Sequence, residues 1–418
     1  MDGKATYREL AGTSTTPQAG RGNCRMGRPS TSKPIPMKSL LKIVLVCCCL
    51  VLICNRRGSC DERAQLILSL DLRMFGYRFP VAERDLRAYA FLQDSVVFLD
   101  DRRLAVSFLS KNEHPGLSRR DGTPGSEVVF QSIFLDPVAG AVSAQRTWGN
   151  EGNWNTLHAL ANGTFLVQDN EWVRIYSKEL RELASKKLEI PGDLLPRFSV
   201  SPSGHSVYEF QDAYEANRGW LTRIDLIDPS TLLTKRSKLT PGHQFETVSD
   251  TRVVYFPTTF NGALRLFVYG VNDSTPTEGP ELFKKNTWPS RVVAESGCNS
   301  AAFINDDVLA IAGGCPTLIL ARSADEFSQI NFPGYLTGGE LHSSRGGRRF
   351  AFFRTRGKEK PPGITYMELC VYDLADHKIV FSAVASPPSQ HKLGFAVSPD
   401  GSLFALQVDG LLRVWRLD

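Results

Sequence analysis

From about residue 90 to its end the chain is broken into short apolar runs, each halted by turn-forming residues and then reversed. The last 25 residues show the pattern most clearly. Phe395-Ala396-Val397 meets Ser398-Pro399-Asp400-Gly401, residues 403–406 return and end at Asp409-Gly410, and residues 411–417 form a third run. Proline presets the first turn dihedral, glycine supplies a positive φ, and aspartate bonds its own backbone. Apolar runs of this length between such stops are strands, too short for helices.

One strand–turn–strand unit cannot bury both its faces, so its recurrence is what matters. Units lie at residues 98–106 around Asp101, 157–167 around Asn162-Gly163, and 198–208 around Ser201-Pro202-Ser203-Gly204. Others span 245–256 around Ser249-Asp250-Thr251 and 301–312 around Asn305-Asp306-Asp307. The last two turn at Arg345-Gly346-Gly347 and at Ser398 to Gly401. Third and fourth strands follow several of them, as at 220–227 with 232–239 and at 367–374 with 378–383. Seven units about 50 residues apart predict an all-β fold, a seven-bladed β-propeller with one four-stranded blade per repeat. A β-sandwich or a pair of sandwiches is the competing architecture. Residues 177–187 carry one marginal helical stripe, read as a blade hairpin. The final unit holds only three strands, so an N-terminal strand, at 64–72 or 75–79, is expected to complete it and remove an exposed edge.

The first 60 residues are a separate object. Residues 1–36 are polar, rich in Gly, Ser, Thr and Pro, and read as a disordered extension; Met37 is an alternative start. Residues 37–60 then give a basic start, twelve apolar residues (43–54) and a small-residue end, the order of a secretory signal. Twelve residues make about 18 Å of helix against a hydrocarbon core of roughly 30 Å. A retained membrane anchor over 40–54 is the alternative, and acylation at Cys60 a further one. Residues 61–418 form one propeller domain, expected to be monomeric. The reading is therefore an exported chain, periplasmic or at the cell surface.

Charge divides at the same boundary. Residues 1–60 hold 10 Lys+Arg and 2 Asp+Glu, leaving 39 basic and 42 acidic groups in the remainder. The basic excess belongs to the export segment, which argues against nucleic-acid binding by the domain. Six of nine cysteines also lie in the first 60 residues. Of the others, Cys298 and Cys315 stand almost equidistant from the turn at Asp306. Facing positions on a hairpin lie within disulfide reach, so a bridge is expected in an oxidising compartment, with two buried thiols as the alternative. Cys370 sits in an apolar strand and reads as packing.

No catalytic constellation is visible. The histidines at 114, 158, 205, 243, 342, 377 and 391 are scattered, and metal-binding spacings are missing, so neither a metal nor a cofactor is expected. Gly-x-Ser-x-Gly and the phosphate-cradling loop are also missing. Asp100-Asp101 and Asn305-Asp306-Asp307 read as turn chemistry, and residues 345–349 (Arg-Gly-Gly-Arg-Arg) as a solvated turn.

The longest insertions, at 110–127, 211–219, 257–262 and 354–365, fall between second and third strands, which in a propeller emerge on one face. With the interblade segments they carry Trp148, Trp154, Asn155, Tyr214, Trp220, Phe260, Trp288 and Tyr335, near Lys111, Arg119, Arg120, Lys358 and Lys360. Aromatic side chains at a rim supply contact area at low entropy cost, which makes this the candidate ligand face. The competing reading of Trp148 and Trp154 is that they fill the gap between the first two blades.

Ser398-Pro399-Asp400-Gly401 followed by residues 412–417 (Leu-Arg-Val-Trp-Arg-Leu) resembles the first turn and third strand of the WD-repeat-like and TolB-like exported bacterial β-propellers. Residues 201–204 with 224–228 are a looser match. Arg416 stands where the Trp-Asp pair has aspartate. The resemblance implies a non-enzymatic scaffold that binds a protein, peptide or glycan. The rival function is a propeller-type enzyme, a lactonase or a quinone- or metal-dependent oxidoreductase with its site in the central channel.

Overall fold

The computed structural model describes residues 64–77, 96–112, 127–148, 156–169, 172–188, 196–215, 219–241, 245–255, 267–270, 300–312, 315–322, 326–356, 366–385 and 394–418. The extension, the export segment, Trp154, Asn155, Phe260, Trp288, Cys298 and most of the long insertions lie outside them. Contacts divide the chain into Met1–Arg57 and Gly58–Asp418, and the fold described is that of the second unit.

Strand β1 (Ala64–Asp71) precedes a meander of β2 (Val96–Asp100), β3 (Arg103–Asn112), β4 (Glu127–Leu135) and β5 (Val142–Trp148). A second meander holds β6 (Thr156–Ala159), β7 (Phe165–Asp169), β8 (Trp172–Tyr176) and β9 (Glu182–Lys187). A third holds β10 (Arg197–Val200), β11 (Val207–Glu215), β12 (Gly219–Ile227) and β13 (Thr234–Pro241). Three strands follow, β14 (Phe245–Val248), β15 (Arg252–Tyr255) and β16 (Phe267–Gly270). One seven-stranded sheet contains β17 (Ser300–Phe303), β18 (Leu309–Ala312), β19 (Cys315–Ala321), β20 (Phe327–Ser343), β21 (Arg349–Arg356), β22 (Tyr366–Asp373) and β23 (Lys378–Ala385). The last sheet joins β24 (Gly394–Val397), β25 (Leu403–Val408) and β26 (Leu411–Leu417) to β1, in the order β1-β26-β25-β24. The marginal helical stripe at 177–187 is the β8–β9 hairpin.

The N-terminal strand closes the final sheet: β1 runs antiparallel to β26, from Ala64 opposite Leu417 to Asp71 opposite Leu411. Of the alternative at 75–79, residues 78 and 79 lie outside the described residues, and Tyr77 forms an isolated bridge to Ser110. The count of blades is corrected. The described residues form six sheets, not seven separate blades. The cause is β20, which is 17 residues long. Its first part pairs with β19 (Phe327 opposite Ala321) and its last part with β21 (Ser343 opposite Phe350). The connection from one unit to the next runs extended instead of turning, so two units share a strand.

The sheets stack around an axis and do not form two layers. Each side of a sheet contributes to a different core. Phe134 and Trp148 of the β2–β5 sheet pack with Phe165 and Tyr176 of the next. Leu166 and Ile175 pack with Phe198 and Val207, and Tyr208 and Phe210 with Val248 and Val253. Phe353 and Phe381 pack with Phe404 and Trp415, while Leu412 and Val414 return to Val106 and Ile133. First strands are neighbours in a closed cycle, β2 to β6, β10, β14, β17, β20, β24 and back to β2. Burial follows the same geometry: β24 is buried throughout, whereas the outer strand β9 is mostly exposed. A strand covered on both faces needs apolar side chains at every position, and one at the rim only at alternate ones.

The turns after the first strands are tied into a ring. The Asp400 amide donates to Asp101 Oδ1 at 2.9 Å, and the Gly346 amide to the Pro399 carbonyl at 3.2 Å. Gly347 packs against Asn305. Asp306 accepts from the Asp250 amide and, through its carbonyl, from Arg252. Ser203 Oγ donates to the Asp250 carboxylate at 2.8 Å, and the Ala161 amide to the Gly204 carbonyl at 2.9 Å. Gly163 against Asp100 completes the circuit. Gly204 has φ +78°, and a Cβ there would lie 2.6 Å from Ala161 N and 2.8 Å from Leu160 C, both backbone atoms. Gly204→Ala is expected to cost more than the about 1–2 kcal/mol of a left-handed L-residue. Urea denaturation checks this as a lowered midpoint at constant slope; an unchanged midpoint would mean that the ring is slack.

Candidate functional site

In a four-stranded antiparallel meander the first-to-second and third-to-fourth connections share one end. The second-to-third connections and the links between sheets share the other. The first end carries the ring of turns, so the two faces differ. At the second end β11 and β12 extend together, with paired residues out to Glu215 opposite Gly219. Much of the insertion expected at 211–219 is therefore strand. Tyr214 is 65% exposed there, and the register sets it opposite Trp220. Below it, Asp212 accepts from Arg197 Nη2 at 3.0 Å, an ion pair to the first strand of the same sheet.

The other sequence candidates are placed unevenly. Trp148 does not belong to a ligand face: it is 3% exposed, and its indole donates to Ser132 Oγ at 2.7 Å. It packs against Tyr176 and Phe165, with the Arg146 guanidinium 4.8 Å above its ring, and so fills the gap between the first two sheets. Tyr335 lies on β20, its backbone opposite Thr355. Cys315 opens β19 opposite Leu336. It does not continue the β17–β18 hairpin, whose last pair is Ser300 with Ala312, and its pairing with Cys298 lies outside the described residues. Cys370 is buried among Phe350, Phe352 and Tyr372, as expected of a packing residue.

A second location emerges on the axis. A cavity of about 170 Å³ is lined by first-strand residues, among them Phe98, His158 and His342, and by Arg345 and Pro399 of the ring. The sequence reading treated residues 345–349 as a solvated turn, and this is corrected. Arg345 turns inward and donates through Nη2 to the Leu99 carbonyl at 3.1 Å and to the Leu160 carbonyl. Arg349 is 6% exposed. Burial lowers the Arg345 pKa from its usual value while Asp100 and Asp101 oppose this; an arginine stays charged through such a shift. His342 is held edge-on to Phe395 at 4.5 Å between ring centres. The available signal was the pair of glycines, which lets the turn approach its neighbours closely.

The acidic pairs at the turns serve as expected and do more. Asp100 Oδ1 accepts from the Arg102 amide at 2.8 Å, and Asn305 Oδ1 from the Asp307 and Val308 amides at 2.9 and 2.8 Å. Their neighbours Asp101 and Asp306 reach the adjacent turns instead. Among the described residues no group of three or more His, Cys, Asp or Glu is placed to hold a metal ion.

Radial stacking, a closed cycle of first strands and an N-terminal closing strand define a β-propeller. No protein-family model and no curated protein matches the sequence. Among solved structures the chain is similar to one from a crystal structure of the mitotic checkpoint complex: 13% identity, TM-score 0.49, covering 96% of this chain and 99% of that one. It is also similar to the β-propeller domain of Cps50 (Swd1) from Myceliophteria thermophila: 10% identity, TM-score 0.45, covering 78% and 98%.

Proposed function

We propose that this chain is a non-enzymatic binding scaffold, exported by residues 37–60 as a signal or attached to the envelope through them as an anchor, which engages a protein, peptide or glycan through the face opposite the turn ring. The observation that carries the reading is the difference between the faces. On one, short turns bond each other. On the other, the β11–β12 hairpin extends and presents Tyr214 as an exposed aromatic, the residue type that anchors recognition surfaces.

A photo-crosslinking residue placed at Tyr214 tests this, with the same residue at Arg102, an exposed ring position, as reference. In the native host, position 214 is expected to yield a discrete adduct and position 102 none. Adducts from both alike, or from neither, would remove the case for this face. The mass of the mature chain tests export independently: a protein retaining residues 1–60 without attachment to membranes would overturn that part.

A further inference from the structure

We infer that the axial cavity is a binding site for a small oxyanion, a carboxylate or a phosphate, with Arg345 as its anchor. This is separate from the partner face proposed above, since the cavity lies on the axis and reaches the turn ring. The argument begins with how Arg345 is bonded. Nη2 is spent on the carbonyls of Leu99 and Leu160, from two different sheets. Those bonds fix the guanidinium across the mouth of the channel. No described residue accepts from Nε or Nη1, and the side chain lines the cavity. With Nη2 spent, Nε–H and the Nη1 hydrogens remain as separate charged donors, each able to give a single charge-assisted bond to a carboxylate or phosphate oxygen.

The lining supports the same charge. It contains Arg345, His158 and His342 and no aspartate or glutamate. Asp100 and Asp101 lie close enough to act on Arg345 electrostatically but do not line the cavity. Asp101 is turned to the Asp400 amide of the adjacent turn. The apolar part of the wall, with Phe98, Ala159 and Val397, keeps the interior poorly solvated and strengthens a charge-assisted bond within it. Size limits the ligand. About 170 Å³ is close to the roughly 150 Å³ of a cavity that accepts benzene. A single ring or a smaller anion fits, and a peptide or glycan chain does not.

Calorimetric titration of the full chain with inorganic phosphate and, separately, with benzoate tests the inference. At least one anion is expected to bind at millimolar concentration or better. Phosphate alone would mark a phosphate site and benzoate alone a carboxylate site. Arg345→Met is expected to weaken binding at least tenfold, and Arg345→Lys less. Because Arg345 also bridges two sheets, a second variant leaves it untouched: Ala159→Phe fills the cavity and is expected to abolish binding. Thermal melts report whether each variant is folded, and if Arg345→Met is not, the Ala159→Phe result decides. The inference is overturned if neither anion binds the unaltered protein, or if binding persists unchanged in a folded Arg345→Met or in Ala159→Phe.

Discussion

Replacing Arg349 by methionine is expected to cost the propeller about 3–5 kcal/mol, the range for breaking a buried ion pair by removing one partner. Arg349 stands at the start of β21 and Asp373 at the end of β22, the latter fully buried. Arg349 Nε donates to Asp373 Oδ2 at 2.9 Å, and the more exposed Arg348 Nε to the same oxygen at 3.0 Å. Arg349 then crosses to the closing sheet. Its Nη1 donates to the carbonyls of Gly401 and Leu417 at 2.9 and 3.2 Å, and Nη2 to that of Asp418 at 3.3 Å. One side chain thus ties the seven-stranded sheet to the last turn and to the strand that β1 must cover. Methionine keeps only the apolar stem and leaves a buried carboxylate and three carbonyls short of donors. Asp373→Asn should lose stability as well, and the double variant less than the two losses together, because both remove the same contact.

The acid limb gives a second readout. Burial would raise the Asp373 pKa, but hydrogen bonds from Arg349 and from the amides of Asp376 and Ala375, with the Arg348 charge, hold it below the ordinary carboxylate value. A carboxyl depressed in the folded state stabilises above its unfolded pKa of about 3.9. That contribution is lost as pH falls through the folded value. The unaltered protein should therefore lose part of its stability below about pH 4, and Arg349→Met a smaller part. Urea melts at neutral pH and across the acid range measure both. A neutral-pH loss under about 1 kcal/mol, the size of an exposed pair, would show that the bridge is not buried in solution.

Local chemistry made the hairpins legible. All seven turns read from Gly, Pro, Asn and Asp fall where first strands end, since each turn is settled within four or five residues. What depends on a neighbouring unit was not legible. Asp101 and Asp306 look like ordinary turn residues, and only a second turn at hydrogen-bond distance makes them links in a ring. Nor was the join between the fifth and sixth units legible, where the backbone stays extended through β20 and fuses the two. Arg345 and Arg349 read as solvated because charge at a turn usually is, and their inward course requires carbonyls from other sheets. Trp148 was recoverable. In β5 the partly buried positions are Val142, Ala144 and Arg146, and carrying that alternation one step further puts Trp148 on the inward side. The exposed Tyr214 was legible as an aromatic on an insertion, though not the strand that carries it.

Leu72→Asp is expected to open the ring. β1 has one sheet neighbour, β26, and many of its side chains are exposed. Much of its hold therefore lies just beyond its end. There Leu72, fully buried, donates its amide to the Gly410 carbonyl at 2.7 Å and accepts from the Tyr77 amide at 3.1 Å. Its side chain packs with Tyr77, Val96, Phe108 and Leu412, where the first and last sheets meet. The fit is close: Gly410 has φ +79°, and a Cβ on it would stand 2.5 Å from the Tyr77 ring. Leu72→Ala should leave β1 paired and cost about 2–5 kcal/mol, the range for such a truncation in a core. Aspartate places a charge with no partner in the same apolar site, at several kcal/mol more. Release of β1 is the cheaper outcome, and it uncovers β26 as an unpaired edge that invites association between chains. Hydrogen exchange should show protection lost at Leu412 and Val414 while β6 to β9 stay protected, and light scattering should show self-association that Leu72→Ala lacks. Native protection of β26 in the aspartate variant would mean that strand pairing alone closes the propeller. If protection is lost, the seam between first and last sheets is held from the core, by one leucine placed where the chain first enters it.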